Sequence, residues 1–300
     1  MSKKTITSVI TLVSKNRECY VLHYEKITDL FKKYNIKILK TNKLSKLVKD
    51  FYVNIDINTF VKIKLYFKSN TLKGSDVCIQ ENSYRKKKVI ACDMDKTAIC
   101  IESIDLIGEK ILKNSLISEL TEKAMSGGVN FNSSITERTK ILKGISVNEI
   151  KKIIKHVKLT KNVETVIKTM NKYGCHTMLI SGGYDIIANR IGKKIGFKEI
   201  ISNKPISQNG TLTGELKGNI VDGKGKLNYF KSSIKTHSAK NSQTLAIGDG
   251  QNDIDMIKFA SLGIAWKGFP KVNKVADALA NYSFKSILYF QGYNDKEIVN

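Results

Sequence analysis

The chain has 300 residues, which at roughly 150 per domain suggests about two domains and a core that needs no disulfide or metal staple. Hydrophobic residues make up 41% and charged residues 26%, excluding a disordered or collagen-like chain, and no run approaches the roughly 20 apolar residues that span a bilayer. The balance of 51 basic to 27 acidic residues, a net charge of +24, raises nucleic acid or an anionic membrane as partners. Only Arg17, Arg85, Arg138 and Arg190 are arginines, however, and readers of bases and phosphates favour the arginine fork, so solvated lysine faces explain the charge better.

Lys3 and Lys4 before the run from Ile6 to Val13 imitate the start of a signal peptide, but Thr7, Ser8 and Thr11 interrupt that run and no small-residue cleavage site follows. Residues 5–13 read as a strand, 21–34 as a helix, 36–40 and 51–57 as strands and 58–68 as a helix. The basic run Arg85-Lys86-Lys87-Lys88 precedes the apolar strand Val89 to Cys92, which places a domain boundary near residue 85. Residues 103–160 are helical in pattern, with a glycine pair at Gly127-Gly128. Beyond them come a strand at 176–180, a helix at 184–195, a strand at 245–247, a helix at 253–259 and a strand at 263–265. Such alternation predicts a doubly wound α/β parallel sheet, with the helical stretch inserted above it as a cap. Cys19, Cys78, Cys92, Cys100 and Cys175 are odd in number and form no C-x-x-C pair, so they read as reduced thiols of a cytoplasmic protein.

Ligands of an open parallel sheet bind beyond the carboxyl ends of its strands. Here the strand from Val89 runs into Asp93-Met94-Asp95-Lys96-Thr97, that from His176 into Ser181-Gly182-Gly183, and that from Leu245 into Gly248-Asp249-Gly250-Gln251-Asn252-Asp253. One D-x-D after a strand is as often a turn as a site, but three such ends along one edge form a pattern. Carboxylates without imidazole or thiolate suit a hard cation such as Mg²⁺, with Asp93 and Asp249 as natural ligands. Ser181 with two glycines at a helix start reads as a phosphate anchor, or taken alone as an ordinary N-cap. His23, His156, His176 and His237 fall in no motif and read as structural or surface residues.

The arrangement resembles the haloacid dehalogenase (HAD) superfamily of aspartate-nucleophile phosphatases and, within it, the phosphoserine phosphatase branch. The similarity runs from about Val89 to Tyr293 and includes Thr121-Glu122-Lys123-Ala124-Met125 and Leu288-Tyr289-Phe290-Gln291-Gly292-Tyr293. The resemblance implies that Asp93 is the nucleophile, Asp95 the general acid and base, and Lys226 the cation that holds nucleophile and phosphate. Mg²⁺ would sit on Asp93, Asp249 and the Asp95 carbonyl, with Asn252 and Asp253 orienting that site. Thr97, Ser181, Gly182, Lys226 and Asn252 would contact phosphate. In the cap, Glu102 would read an ammonium and Arg138 a carboxylate, with Met125 and Phe131 as an apolar screen. Without the resemblance, Glu102 is a first-turn helix acid, and Met125 and Phe131 are cap core.

Lys96 stands where this branch usually has serine. Residues 1–85 are similar in element order to the small α+β (ACT-like) domain that precedes some of these enzymes, leaving 86–300 as the phosphatase domain. The expected partner is O-phospho-L-serine, with no specific nucleic acid and no membrane. An amino-acid effector for the N-terminal domain and a homodimer are further options. Rival readings are a HAD phosphatase of another small phosphomonoester and a basic polyanion-binding protein.

Overall fold

The computed structural model describes residues 5–70, 72–113, 115–126 and 128–299. The first unit runs β1 (Thr5–Ser14), α1 (Arg17–Lys33), β2 (Ile38–Ser45), β3 (Val48–Asp56), α2 (Ile57–Ser69) and β4 (Ser75–Glu81), a β-α-β-β-α-β order. Helix α1 begins four residues before its expected start because Asn16 caps it, its side chain accepting from the Cys19 N–H. Asp56 caps α2 in the same way. These helices cover one sheet face through Ile10, Leu12, Ile27, Phe31, Phe51, Val53 and Ile63. Strand β4 was not legible in the sequence, yet it pairs with β1 over seven residues.

Strand β5 (Val89–Cys92) opens the second unit. The cap follows as α3 (Ser103–Ile107), α4 (Leu116–Met125), α5 (Phe131–Ile141) and α6 (Val147–Ile153), within the predicted limits. A bridge between Ile99 and Leu159 closes its base. Then come α7 (Val163–Lys172), β6 (His176–Tyr184), α8 (Asp185–Ile195), β7 (Glu199–Gln208), β8 (Thr211–Lys217) and α9 (Gly223–Thr236). The chain ends with β9 (Thr244–Gly248), α10 (Ile254–Phe259), β10 (Leu262–Trp266), α11 (Pro270–Val275), β11 (Ala278–Ala280) and α12 (Ser286–Phe290). The antiparallel hairpin β7–β8 was not expected. Leu212 of β8 exchanges backbone hydrogen bonds with the cap, donating to Ile145 and accepting from Gly144.

Alternation along the parallel strands sends side chains to two cores. Ile90, Cys92 and Leu179 enter the core shared with the cap, while Val89, Ala91, Met178 and Ile180 enter the one beneath α9 and α10. The strands form one sheet in the order β2-β3-β1-β4-β11-β10-β9-β5-β6-β7-β8, and the two units meet where Leu279 of β11 pairs with Val77 of β4.

The seam buries part of the basic run that marks the boundary between the units. Arg85 is buried, with Nη1 donating to Asp50 Oδ2 at 2.8 Å and Nη2 to Thr11 Oγ1 and to the Tyr289 and Phe290 carbonyls at 3.1–3.2 Å. Lys87 is also buried, donating to the Ser242 carbonyl and to Ser261 Oγ at 3.1 Å each, and burial pushes its ammonium down to about 8. His23 meets Ser75 Oγ at 2.7 Å, and His176 pairs with Glu199 at 2.8 Å while stacking on His237. No helix among the described residues is long and apolar enough to cross a membrane.

Candidate active site

The ends of β5, β6 and β9 converge as the parallel register requires, since β5 lies between the other two. Asp93 follows β5 directly, its N–H donating to the Ile247 carbonyl of β9 at 2.9 Å. The chain then turns tightly, with Lys96 at φ 52° and its N–H donating to the Ile101 carbonyl. This turn returns the chain to α3, whose Ser103 N–H donates to Asp95 Oδ1 at 2.7 Å. Asp95 is thereby aimed between sheet and cap.

Lys226, in the first turn of α9, is fully buried. Its Nζ donates to Asp93 Oδ1 at 2.5 Å and to Asp253 Oδ1 at 2.7 Å. Asp253 is otherwise engaged, because its Oδ2 accepts from the Asp249 and Gly250 N–H groups. Burial alone would strip the proton from Lys226, but Asp253 and Asp93 outweigh it and hold its proton affinity above the ordinary range. Burial, Asp253 and Asp249 drive Asp93 well above the usual carboxylate range against the pull of Lys226. Burial likewise pushes Asp95 up to about 6, Asp249 to about 7 and Glu102 to about 8. One buried ammonium thus faces a surplus of carboxylates, which is the charge deficit a bound cation relieves.

Asp93, Asp95, Glu102, Ile104, Phe131, Arg138, Gly182, Gly183, Asp249 and Asn252 line one cavity of about 10 Å³, room for roughly one water. The cap is therefore closed over the strand ends. Gly182 and Gly183 are required by this closeness: a Cβ on Gly182 would lie 2.5 Å from the Phe131 ring, and one on Gly183 would lie 3.0 Å from Asp95 Oδ2. Arg138 is buried, with Nη1 on Thr121 Oγ1 at 2.9 Å, and Nη2 has no hydrogen-bond partner among the described residues. Asp93, Asp249 and Asp253 each place a carboxylate oxygen within 4.8 Å of the others, a donor set of the hard-cation kind.

Thr97, Ser181 and Lys226, three of the expected phosphate contacts, are not among the residues that line this cavity. Thr97 does not line the cavity; its hydroxyl donates to Asp249 Oδ1 at 3.0 Å. Ser181 is fully buried, its Oγ accepting from the Gly183 N–H at 2.9 Å, and α8 starts only at Asp185, so Ser181 and the glycines form an irregular strand end rather than a helix start. Met125 closes α4, but its side chain lies outside the described residues, as does Gly127. Sequence reasoning missed Asn203, buried on β7, whose Nδ2 donates to the Gly182 carbonyl at 2.8 Å while its Oδ1 accepts from the Val221 N–H. It also missed Asp222, which caps α9 and accepts from Asn132 of the cap at 3.1 Å. A buried amide in a strand has no local pattern that would have revealed it.

Comparison with known proteins follows this geometry. The model of the haloacid dehalogenase-like hydrolases matches residues 90–258, more than half the chain and all three strand ends. The chain belongs to that family. The phosphoserine phosphatase of Saccharomyces cerevisiae is 32% identical to it, covering 100% of this chain and 99% of its own length, so the similarity includes the N-terminal unit. A solved phospho-aspartyl intermediate analogue of phosphoserine phosphatase is 32% identical, with a TM-score of 0.65 over 68% of this chain and 98% of that one. A HAD family hydrolase from Salmonella enterica serovar Typhi shares the fold over 95% of this chain and 98% of its own at a TM-score of 0.80, with 22% identity. The chain is an enzyme, a phosphatase of this family.

Proposed function

We propose that the chain is a Mg²⁺-dependent phosphoserine phosphatase that hydrolyses O-phospho-L-serine to L-serine and phosphate, the last step of serine biosynthesis, in the cytoplasm. The observation that carries this reading is the single cavity in which Asp93, Asp95 and Asp249 of the sheet meet Glu102 and Arg138 of the cap. The full-length similarity to the yeast enzyme supports the same substrate.

In this reading an Asp93 carboxylate oxygen attacks phosphorus, the bond to the serine oxygen breaks, and Asp95 gives its proton to that oxygen. A carboxyl pushed up to about 6 suits the task, because it can both give and take a proton near neutral pH. Asp95 then takes a proton from the water that attacks the aspartyl-phosphate, and phosphate leaves. Lys226 holds the nucleophile in place and balances its charge. Asp93, Asp249 and the Asp95 carbonyl would hold Mg²⁺, since both Asp253 oxygens are engaged. When bound, that ion neutralises phosphoryl oxygens that a carboxylate nucleophile would otherwise repel. Asn252 and Gly182 contact the phosphoryl group, Thr97 and Ser181 support it from behind, and Glu102 and Arg138 read the serine ammonium and carboxylate. Phe131 excludes water. Residues 1–85 form the domain suited to an amino-acid effector, and a homodimer accompanies this reading.

The test is phosphate release with Mg²⁺ from L-phosphoserine, D-phosphoserine, phosphothreonine, a sugar phosphate and an aryl phosphate, repeated with EDTA. Strong preference for L-phosphoserine, lost to EDTA and restored by Mg²⁺, is expected. Equal turnover of every ester would return the substrate to another small phosphomonoester, and indifference to EDTA would remove the metal.

A further inference from the structure

We propose that Lys96 is a specificity-determining residue: its ammonium is the resident cation of Glu102, and a substrate bearing its own ammonium has to displace it. The inference rests on the reading of Glu102 given above. Glu102 is 8% exposed and shares its cavity with Asp95 and Asp249. A buried carboxylate among carboxylates needs a cation or a proton. Among the described residues, Lys96 is the one basic side chain within 4 Å of it, Nζ to Oε1 being 3.4 Å.

An incoming ammonium needs the place beside Glu102 Oε1 that Lys96 Nζ already holds at 3.4 Å, and two like charges repel there. Lys96 has somewhere to go. Its side chain is 41% exposed, its Nζ already lies 5.6 Å from the Phe269 ring, and it lines a neighbouring cavity of about 770 Å³. The backbone is held by the bond to the Ile101 carbonyl, so the exchange is a side-chain swing.

Two consequences follow for substrate choice. An amino-bearing phosphomonoester exchanges one ammonium for another at Glu102 and gains only the difference between them. An ester without an ammonium leaves Lys96 in place and does not confront a bare carboxylate. Lys96 therefore compresses the preference for amino-bearing substrates.

The experiment measures kcat and KM for L-phosphoserine and for an aryl phosphate in the wild type, Lys96→Asn and Lys96→Arg. Asparagine tolerates the left-handed backbone at this position, which keeps the variant foldable. In Lys96→Asn, the ratio of kcat/KM for phosphoserine to that for the aryl ester should rise about tenfold, mainly through a lower KM for phosphoserine. Lys96→Arg should stay near the wild-type ratio. In a Glu102→Gln background, Lys96→Asn should move the ratio less than about twofold, because the partner is gone. Good phosphoserine turnover with an unchanged ratio in Lys96→Asn overturns the role of Lys96 and leaves the proposed function standing. No phosphoserine turnover in any form, with aryl phosphate still cleaved, overturns both.

Discussion

Two buried clusters of cation and carboxylate hold this molecule together, and their difference separates structure from chemistry. At the seam between the units, Arg85 meets one carboxylate, Asp50, and spends its other donors on Thr11, Tyr52 and the Tyr289 and Phe290 carbonyls. Charge is balanced and every group has a partner. At the strand ends, Lys226 faces Asp93 and Asp253, and with Asp95, Asp249 and Glu102 around the same cavity the carboxylates outnumber the cations even when Arg138 and Lys96 are counted. That imbalance is costly for the empty fold. It is sustained because the site is built for what arrives: a cation, and a phosphoryl group bearing its own charges.

The largest effect expected from breaking this contrast is at the nucleophile. Asp93→Asn should lower kcat by three or more orders of magnitude, with an unchanged circular dichroism spectrum, because an amide cannot form the acyl-phosphate. Substantial residual turnover would refute the assignment. The next largest is at the seam. Arg85→Met leaves Asp50 buried without its cation and should destabilise the fold by about 3–5 kcal/mol in urea titration. The kcat of the folded fraction should stay within about twofold, since Arg85 lies outside the catalytic cavity; a loss comparable to that of Asp93→Asn would erase the distinction between the two clusters.

The cap offers a finer division, between the general phosphatase centre and substrate choice. Removing the Arg138 fork should lower kcat/KM for phosphoserine about 10- to 100-fold and that for an aryl phosphate far less, because a buried guanidinium–carboxylate contact contributes roughly 1.5–3 kcal/mol. Equal losses on both substrates would make Arg138 a packing residue held by Thr121.

The strand ends were legible because they depend on local chemistry. An apolar run followed by Asp93-Met94-Asp95 or Gly248-Asp249-Gly250 marks both a buried parallel strand and its edge, whatever the rest of the chain does. The family pattern supplied Lys226, which nothing in a lysine-rich composition distinguishes. What stayed hidden depends on distant pairing. Strand β4 is defined by its register with β1, and the β7–β8 hairpin by its contact with the cap. Nothing in the basic run showed that Arg85 and Lys87 are buried, because the partners that bury them, Asp50, Phe290 and Ser261, lie 35 to 205 residues away.

Lys87 gives the smallest effect and the cleanest sign. Burial lowers its folded pKa from 10.5 to about 8, so between those values the unfolded chain binds more protons than the folded one. Stability should therefore rise with pH through this window: the cost of the buried ammonium is fully present below pH 8 and is relieved as pH approaches 10.5. Lys87→Met removes the titrating group, and the gain of the wild type relative to the variant across that range should be on the order of 1–2 kcal/mol, reduced from the full shift because Nζ is only partly buried. Parallel pH profiles for the two proteins would show that Lys87 keeps an ordinary proton affinity, its ammonium fully served by Ser242 and Ser261. Diverging profiles would make it the counterpart of Arg85 at the same seam: a cation buried for packing without a carboxylate, tolerable because a lysine can shed its proton and an arginine cannot.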